Sequence, residues 1–313
     1  MDYTKEQLSR VIGKHLPGRA LAAVVDRGIW ARHIVELTLD DGQVVFLKAH
    51  VHEEWADSSE KEAYLASLLA AHGFPAPPTI GVDTSREILG QTYILQGKVR
   101  GVRLGDLLRR VGEEQATLIY TALGRFYRRL HAVHYARSGW IDGPGRVLGL
   151  SPNDHMHHAF GDTVRDLVAR GRLAPASGDR LLDLFARNLA YLKDHTPSLI
   201  HGTIFFWTVH LVDDGGWQVT HLSDMGDMLY WDPAYDLASI KYPPFGEEST
   251  ARWQAFLAGY GEAPEEKRLA LYGLMQRVTA ATGGYLAPQT EENDRWEGSC
   301  LQDIDARIAA LEG

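Results

Sequence analysis

The pattern of the chain changes near residue 99, and this change restricts the possible folds more than any other feature. Before it, HIVELTLDDG (33–42) alternates apolar and polar residues, turns at Asp41-Gly42 and continues into a second strand, QVVFLKAH (43–50). After it, helical periodicity dominates, over 103–134, 155–172, 178–195, 248–262 and beyond 264. The sequence therefore predicts an α+β, two-lobed protein with a sheet-rich N-lobe, 1–98, and a mostly helical C-lobe, 99–313.

Local signals place further elements inside this division. Thr4 and Gln7 have the spacing of a capping box, which predicts a helix start. A second helix is expected over 58–72, ending near Gly73, and a strand pair is expected to end in TYILQGKV (92–99). In the C-lobe we expect only two short strands, around 209–212 and 219–223.

Composition excludes several kinds of protein. Hydrophobic residues make up 45% and charged residues 23% of the 313, as in ordinary globular proteins. The net charge of -9 argues against nucleic-acid and membrane partners. Cys300 is the only cysteine, so no intrachain disulfide can form. Since neither a signal peptide nor an apolar run of about 18 residues is visible, we expect a soluble, cytoplasmic protein. The oligomeric state does not follow from the sequence.

The segment with the most chemical content is LIHGTIFFWTVHLVDDGGWQVTHLSDMGDMLYWDPAYDLA (199–238). A loop containing His201-Gly202 precedes a hairpin, and Asp224 follows that hairpin. Because a hairpin returns the chain to its starting point, the loop and Asp224 are predicted to lie close together.

This segment resembles the aminoglycoside phosphotransferase and choline-kinase-like family, which shares the protein-kinase fold. The family has an HGD loop, an Asn five residues after the Asp, a hairpin, a metal-binding Asp and a GDPAYDLA-like segment. Upstream, VVFLKAH, SSEKEAYLASLLAAHGFPAP, TYILQGKVRG and RRLHAVHYARSGWID extend the resemblance over about residues 20–240.

The resemblance implies ATP (or GTP) and Mg²⁺ as cofactors. Lys48 would grip the α- and β-phosphates, and Glu62 would orient Lys48 through an ion pair. Backbone groups of Gly97 and Val99 would hold the adenine, and Asp224 would supply the hard oxygen ligands that Mg²⁺ prefers. These roles match phosphoryl transfer, in which concentrated negative charge must be neutralised.

Two positions depart from the family. Thr203 stands where the loop Asp would accept the proton of the substrate hydroxyl, and threonine cannot act as a base at neutral pH. Thr208 stands where the metal-binding Asn is expected; its hydroxyl is a less dependable Mg²⁺ ligand. Asp227, three residues after Asp224, is the nearest replacement base. His201 is a weaker catalytic candidate, because in the kinase fold this histidine is usually structural.

Other features have plainer interpretations. Asp236 is predicted to brace the loop backbone. Glu62 could instead form a capping box with Ser59. The cluster His155, His157 and His158 matches no strong zinc spacing, and GIW (28–30) offers only one glycine where the family has a phosphate-covering loop.

Three functions therefore stay open. The first is ATP-dependent phosphoryl transfer to a hydroxyl of a small molecule, an antibiotic or a metabolite. The second is a catalytically silent, pseudokinase-like protein that binds a nucleotide or metabolite. The third is a kinase-fold enzyme with other chemistry, such as adenylyl transfer or metabolite rearrangement. The aromatic Phe205-Phe206-Trp207 indicates an unusual, apolar ligand.

Overall fold

The computed structural model describes residues 3–28, 32–50, 58–148, 152–203, 205–243, 249–281 and 298–312. The strands are β1 (Leu21–Asp26), β2 (Arg32–Leu39), β3 (Val44–His50), β4 (Thr79–Asp83), β5 (Tyr93–Gly97), β6 (Val102–Arg103), β7 (Gly139–Ile141), β8 (Val147–Leu148), β9 (Ser198–Ile200), β10 (Val209–Asp213), β11 (Trp217–Leu222) and β12 (Leu229–Trp231). The helices are α1 (Lys5–His15), α2 (Ser58–Ala71), α3 (Leu104–Leu108), α4 (Glu113–His131), α5 (Pro152–Ala169), α6 (Pro175–Lys193), α7 (Phe205–Thr208), α8 (Pro233–Lys241), α9 (Thr250–Tyr260), α10 (Glu266–Ala281) and α11 (Ile304–Glu312).

The chain divides into two compact units, and it passes repeatedly from one to the other. The first unit comprises Met1–Arg109, Ile141–Leu148 and Phe206–Met228; the second comprises Arg110–Trp140, Gly149–Phe205 and Leu229–Gly313. The predicted fold class, α+β with sheet concentrated in the N-terminal part and helix in the C-terminal part, is confirmed. The lobe boundary near residue 99 stays a prediction.

The first unit is built on a five-stranded antiparallel sheet in the order β1-β2-β3-β5-β4. Helix α1 begins at the predicted capping box, where the amide of Gln7 donates to the Thr4 hydroxyl. Leu8 and Ile12 of α1 pack with Leu37 and Leu47 of the sheet in one buried core. A second, three-stranded sheet joins β6 to the β10–β11 hairpin in the order β11-β10-β6.

The second unit is mostly helical, and its helices α4 and α9 pack extensively against each other. The two helices meet at glycines: a Cβ on Gly124 would lie 2.1 Å from the Phe256 carbonyl oxygen, and one on Gly259 would lie 2.1 Å from the Thr121 carbonyl oxygen. The Thr121 hydroxyl also donates to the Ala255 carbonyl at 3.0 Å. The two backbones are therefore in direct contact.

Several elements differ from the sequence prediction. The expectation of only two short strands after residue 99 is wrong, because β6, β7, β8, β9 and β12 are also present. Strand β1 was not predicted; four of its six residues are exposed, so it lacks a clear alternation. The predicted helix 103–134 is two helices, separated before Gly112, the N-cap of α4. Across the described residues, none of the helices has the length and apolarity needed to cross a bilayer.

Candidate active site

Lys48 and Glu62 form the predicted ion pair inside the first unit. Lys48 lies on β3 between Leu47 and Ala49, whose side chains are buried in the core, so its own side chain points to the opposite face of the sheet. Its Nζ lies 3.3 Å from Glu62 Oε2, and the side chains are 15% and 1% exposed. Helix α2 begins at Ser58, which puts Ser59 inside the helix and not at its N-cap. The capping-box alternative for Glu62 is therefore wrong.

Asp224 occupies a strained position directly after the hairpin. Its backbone is left-handed, with φ 55° and ψ 42°, and it begins a 3₁₀ turn over Met225–Asp227. This conformation costs a residue with a side chain about 1–2 kcal/mol. Burial of Met225 and packing of the turn against α2 hold it in place. Asp224 and the Lys48–Glu62 pair are thus both positioned by helix α2.

Thr208 lies beside Ser223, the residue that precedes Asp224. The Thr208 carbonyl accepts hydrogen bonds from the Ser223 amide (2.7 Å) and the Ser223 hydroxyl (3.3 Å), and the Thr208 side chain is buried. Within the described part of the chain, no group of three or more His, Cys, Asp or Glu side chains is arranged to hold a metal ion. Mg²⁺ in phosphoryl-transfer sites is held by one or two carboxylates together with substrate phosphates. The single carboxylate of Asp224 fits that mode of binding, and Thr208 stays a predicted ligand.

The hinge candidates are Gly97, the last residue of β5, and Val99, two residues after it. The Gly97 amide already donates a hydrogen bond to the Pro78 carbonyl at 2.8 Å. Of the two backbone groups of Gly97, only the carbonyl could therefore bind a base, by accepting a hydrogen bond from it. Val99 is half-buried in the connection between β5 and β6. Their contact with adenine stays a prediction.

The loop dipeptide is braced from within the second unit. The Asp236 carboxylate accepts from the amides of His201 (2.7 Å) and Gly202 (2.9 Å), as predicted, and Gly202 has a positive φ of 78°. His131 Nε2 lies 3.2 Å from Asp236, and His131 Nδ1 lies 3.0 Å from the Tyr260 hydroxyl. The conformation of the loop is thus set by a buried carboxylate on α8.

Burial determines the protonation state of Tyr260 in this network. Burial, and then the negative charge of Asp236, raise the pKa of Tyr260, so its hydroxyl keeps its proton. All three groups are satisfied when Tyr260 donates to His131 Nδ1 and Nε2–H of His131 donates to Asp236. The His201 side chain is fully buried, which agrees with a structural role for it.

The remaining predicted residues are placed separately. Thr203 follows the braced dipeptide and is half-buried, whereas Asp227 is exposed at the end of the 3₁₀ turn. Their roles stay predictions. The side chains of Phe205, Trp207, His155, His157 and His158 lie outside the described residues, as do positions 29 and 30 of the GIW segment.

Sequence analysis missed two histidines on the hairpin. His210 of β10 stacks on His221 of β11, with ring centroids 4.3 Å apart and planes at 25°. Burial lowers the pKa of His210, a hydrogen bond with the Thr208 backbone opposes this, and Arg103 and Lys48 lower it further. The charge of Lys48 therefore reaches β10. His210 and His221 occupy paired positions in β10 and β11, and this pairing was the sequence signal for their contact.

Comparison with known proteins identifies the class. The phosphotransferase enzyme family (APH) matches residues 26–272, well over half of the chain, so the chain belongs to this family. The resemblance inferred from the motifs is thereby confirmed. No match is found among curated protein sequences.

Solved structures with the same fold include aminoglycoside phosphotransferases. A thermostable mutant of aminoglycoside phosphotransferase APH(4)-Ia superposes with a TM-score of 0.75 at 17% identity, covering 99% of this chain and 100% of that one. The GDP and kanamycin complex of APH(2")-IIia gives 0.70 at 16% identity, covering 97% and 98%. A ternary complex of an APH(4)-Ia mutant with AMP-PNP and hygromycin B gives 0.73 at 17% identity, covering 98% and 99%.

Proposed function

We propose that the protein is an ATP-dependent kinase that transfers a phosphoryl group to a hydroxyl of a small molecule. One observation carries the proposal: helix α2 supports both the Lys48–Glu62 ion pair and the turn that presents Asp224. A lysine and a carboxylate held by one element are the groups that a magnesium-bound triphosphate needs.

Each residue then has a defined task. Lys48 would neutralise the α- and β-phosphates, with Glu62 holding its ammonium in place, and the Gly97 carbonyl and Val99 amide would bind the base. Asp224 and Thr208 would hold Mg²⁺, which supplies positive charge to the phosphate oxygens.

The proposed site lacks a base at the position of the catalytic loop residue, because Thr203 cannot accept the proton of the acceptor hydroxyl. Phosphoryl transfer through a loose transition state needs little activation of the nucleophile. We infer that Asp227, water or the γ-phosphate accepts the proton, at a cost of about 10²–10⁴-fold in rate relative to a placed base.

The nucleotide and acceptor are proposed by class. Related folds bind GDP in one case and AMP-PNP in another, so GTP is a candidate beside ATP. Kanamycin and hygromycin B, bound by those relatives, are both antibiotics. We propose a hydroxylated antibiotic or metabolite as the acceptor, with no nucleic-acid or membrane partner, for a cytoplasmic protein.

A second candidate is a silent nucleotide-binding protein. The combined presence of Thr203 and Thr208 favours it, because the proton acceptor and the amide metal ligand are replaced together. Lys48, Glu62 and Asp224 serve nucleotide binding under either function.

Thermal unfolding with and without nucleotide, followed by turnover, separates these functions. We expect Mg·ATP or Mg·GTP to raise the unfolding temperature, by mass action on the folded state, and Lys48→Met to abolish this rise. Incubation with kanamycin, hygromycin B and a set of hydroxylated metabolites should then release ADP or GDP.

The outcomes are distinct. Stabilisation without turnover supports the silent protein, and release of pyrophosphate in place of ADP supports adenylyl transfer. If no nucleotide stabilises the protein, the proposal is wrong.

A further inference from the structure

Helix α2 makes contacts of three kinds in the first unit. Glu62 pairs with Lys48 of the sheet. The Tyr64 ring fills the space beside Gly145, where a Cβ would lie 2.2 Å from a ring carbon. The 3₁₀ turn that follows Asp224 packs against the same helix. Helix α2 is thus a common support for the lysine, for the 142–146 turn and for the metal-binding turn.

Lys61 lies on this helix next to Glu62, and the carboxylates of Asp227 and Asp142 act on it electrostatically. Its side chain is half-buried. Burial lowers the pKa of the Lys61 ammonium, and the negative charges of Asp227 and Asp142 oppose the lowering. A partly buried cation is kept charged by such neighbours, and the attraction in turn holds the neighbours near the cation.

The two carboxylates belong to turns that need support. Asp227 ends the 3₁₀ turn that begins at the strained Asp224. Asp142 begins the 142–146 turn, where it accepts hydrogen bonds from the Arg146 amide and the Arg146 Nε, both at 2.7 Å. Asp142 thus has a second cation in Arg146. A strained left-handed residue persists only when surrounding contacts enforce it.

We propose that Lys61 is a positioning residue of the phosphoryl-transfer site: through Asp227 it holds the 225–227 turn against α2, and so it fixes the position of Asp224, which directly precedes that turn. This inference rests on the proposed function. It also gives Asp227 a structural task, which leaves water or the γ-phosphate to accept the proton of the acceptor.

Binding of AMP-PNP, measured by calorimetry with Mg²⁺ and again with EDTA, tests this role. Lys61→Met removes the charge and keeps the bulk. We expect it to weaken binding about tenfold or more in Mg²⁺, as loss of a residue that orients a metal ligand does, and to leave binding in EDTA close to that of the wild type. Lys61→Arg should restore Mg²⁺-dependent binding.

Matched variants complete the test. Lys5→Met removes an exposed lysine of the same unit, and it should leave both affinities unchanged. Asp227→Asn removes the same electrostatic attraction from the other side, and it should reproduce the Mg²⁺-specific loss even if Lys61→Met does not fold.

Three results would overturn the inference. Equal affinity of wild type and Lys61→Met in Mg²⁺ would exclude a positioning role. Equal weakening in Mg²⁺ and in EDTA would indicate direct phosphate contact or general damage to the fold. Failure of the wild type to bind AMP-PNP under either condition would reject the proposed function together with the inference.

Discussion

Thr203 directly follows a dipeptide whose two amides are held by one buried carboxylate. The loop therefore keeps a defined backbone while the side chain that would accept a proton is missing. Since the Asp236 brace acts only on the backbone, an acidic side chain introduced at position 203 should be presented by the same loop conformation.

Thr203→Asp should therefore raise the rate of phosphoryl transfer. We expect an increase in kcat of roughly 10²-fold, the lower end of what a positioned general base contributes, measured as ADP release with the acceptor identified by turnover. Thr203→Asn has the same shape without the base, and it should stay near the wild-type rate. An equal gain from both variants would indicate a steric effect and not proton acceptance.

At the scale of elements, the crossing of α4 and α9 depends on two glycines. Gly124→Ala or Gly259→Ala would place a methyl group against a backbone oxygen that cannot turn aside. The helices must then separate, and we expect the free energy of unfolding to fall by about 1–3 kcal/mol or more, as overpacked cores do. Urea unfolding followed by circular dichroism measures the change.

Gly13→Ala is the control for this prediction. Gly13 also lies inside a helix, α1, but a Cβ there would meet no atom within 4 Å. Its replacement should raise stability by about 0.5–1 kcal/mol through helix propensity. If the substitutions at the crossing behaved like Gly13→Ala, the close packing of α4 and α9 would be wrong.

Longer elements could be predicted from the sequence, and short ones could not. Helix α1 carried a capping box, and the β2–β3 hairpin carried both alternation and an Asp41-Gly42 turn. Strands β6, β7, β9 and β12 have two or three residues, too few for any periodicity. Helix α8 did have sequence signals, since Asp232 caps it and Pro233 follows at its first position. These signals lie within DPAYDLA, which was interpreted only as a family motif.

The candidate site shows the same limit. The Lys48–Glu62 pair was implied by the family resemblance, and the Asp236 brace was predicted for a residue of the same family motif, although each of these interactions joins different elements. The electrostatic interaction of Lys61 with Asp227, and the contact of His131 with Asp236, join residues more than one hundred positions apart that belong to no shared motif. Such pairs appear only when the fold has brought the elements together.

At the scale of the whole molecule, acid stability should depend on Asp83. Its buried carboxylate accepts from Lys14 Nζ (2.8 Å), the Ser85 amide (2.8 Å) and the Ser85 hydroxyl (2.6 Å), which ties α1 to the end of β4. Burial alone would raise the pKa of Asp83, but these hydrogen bonds outweigh it and lower the pKa. A lowered pKa means that the folded state favours the ionised form, so this stabilisation is complete at neutral pH and is lost as the pH falls below about 4.

Asp83→Asn should reduce the free energy of unfolding at pH 7 by about 1–3 kcal/mol, as for a hydrogen-bonded charged group. The difference from the wild type should shrink as the pH is lowered through the acid range. Urea unfolding at pH 7 and near pH 3 measures both values. A difference that grows on acidification would show that the pKa of Asp83 is raised in the folded protein.

The first unit receives its last segment, Phe206–Met228, long after Arg109 has been made. During translation, β6 cannot pair until β10 has been synthesised, because its sheet forms between these two strands. The helices of the second unit up to α6 are synthesised between them. The first unit therefore cannot complete its folding first, although most of its residues precede those of the second unit. A nascent chain stalled before residue 224 would contain Lys48 and Glu62 but not yet Asp224, the proposed metal ligand. The proposed nucleotide binding should therefore arise late in translation.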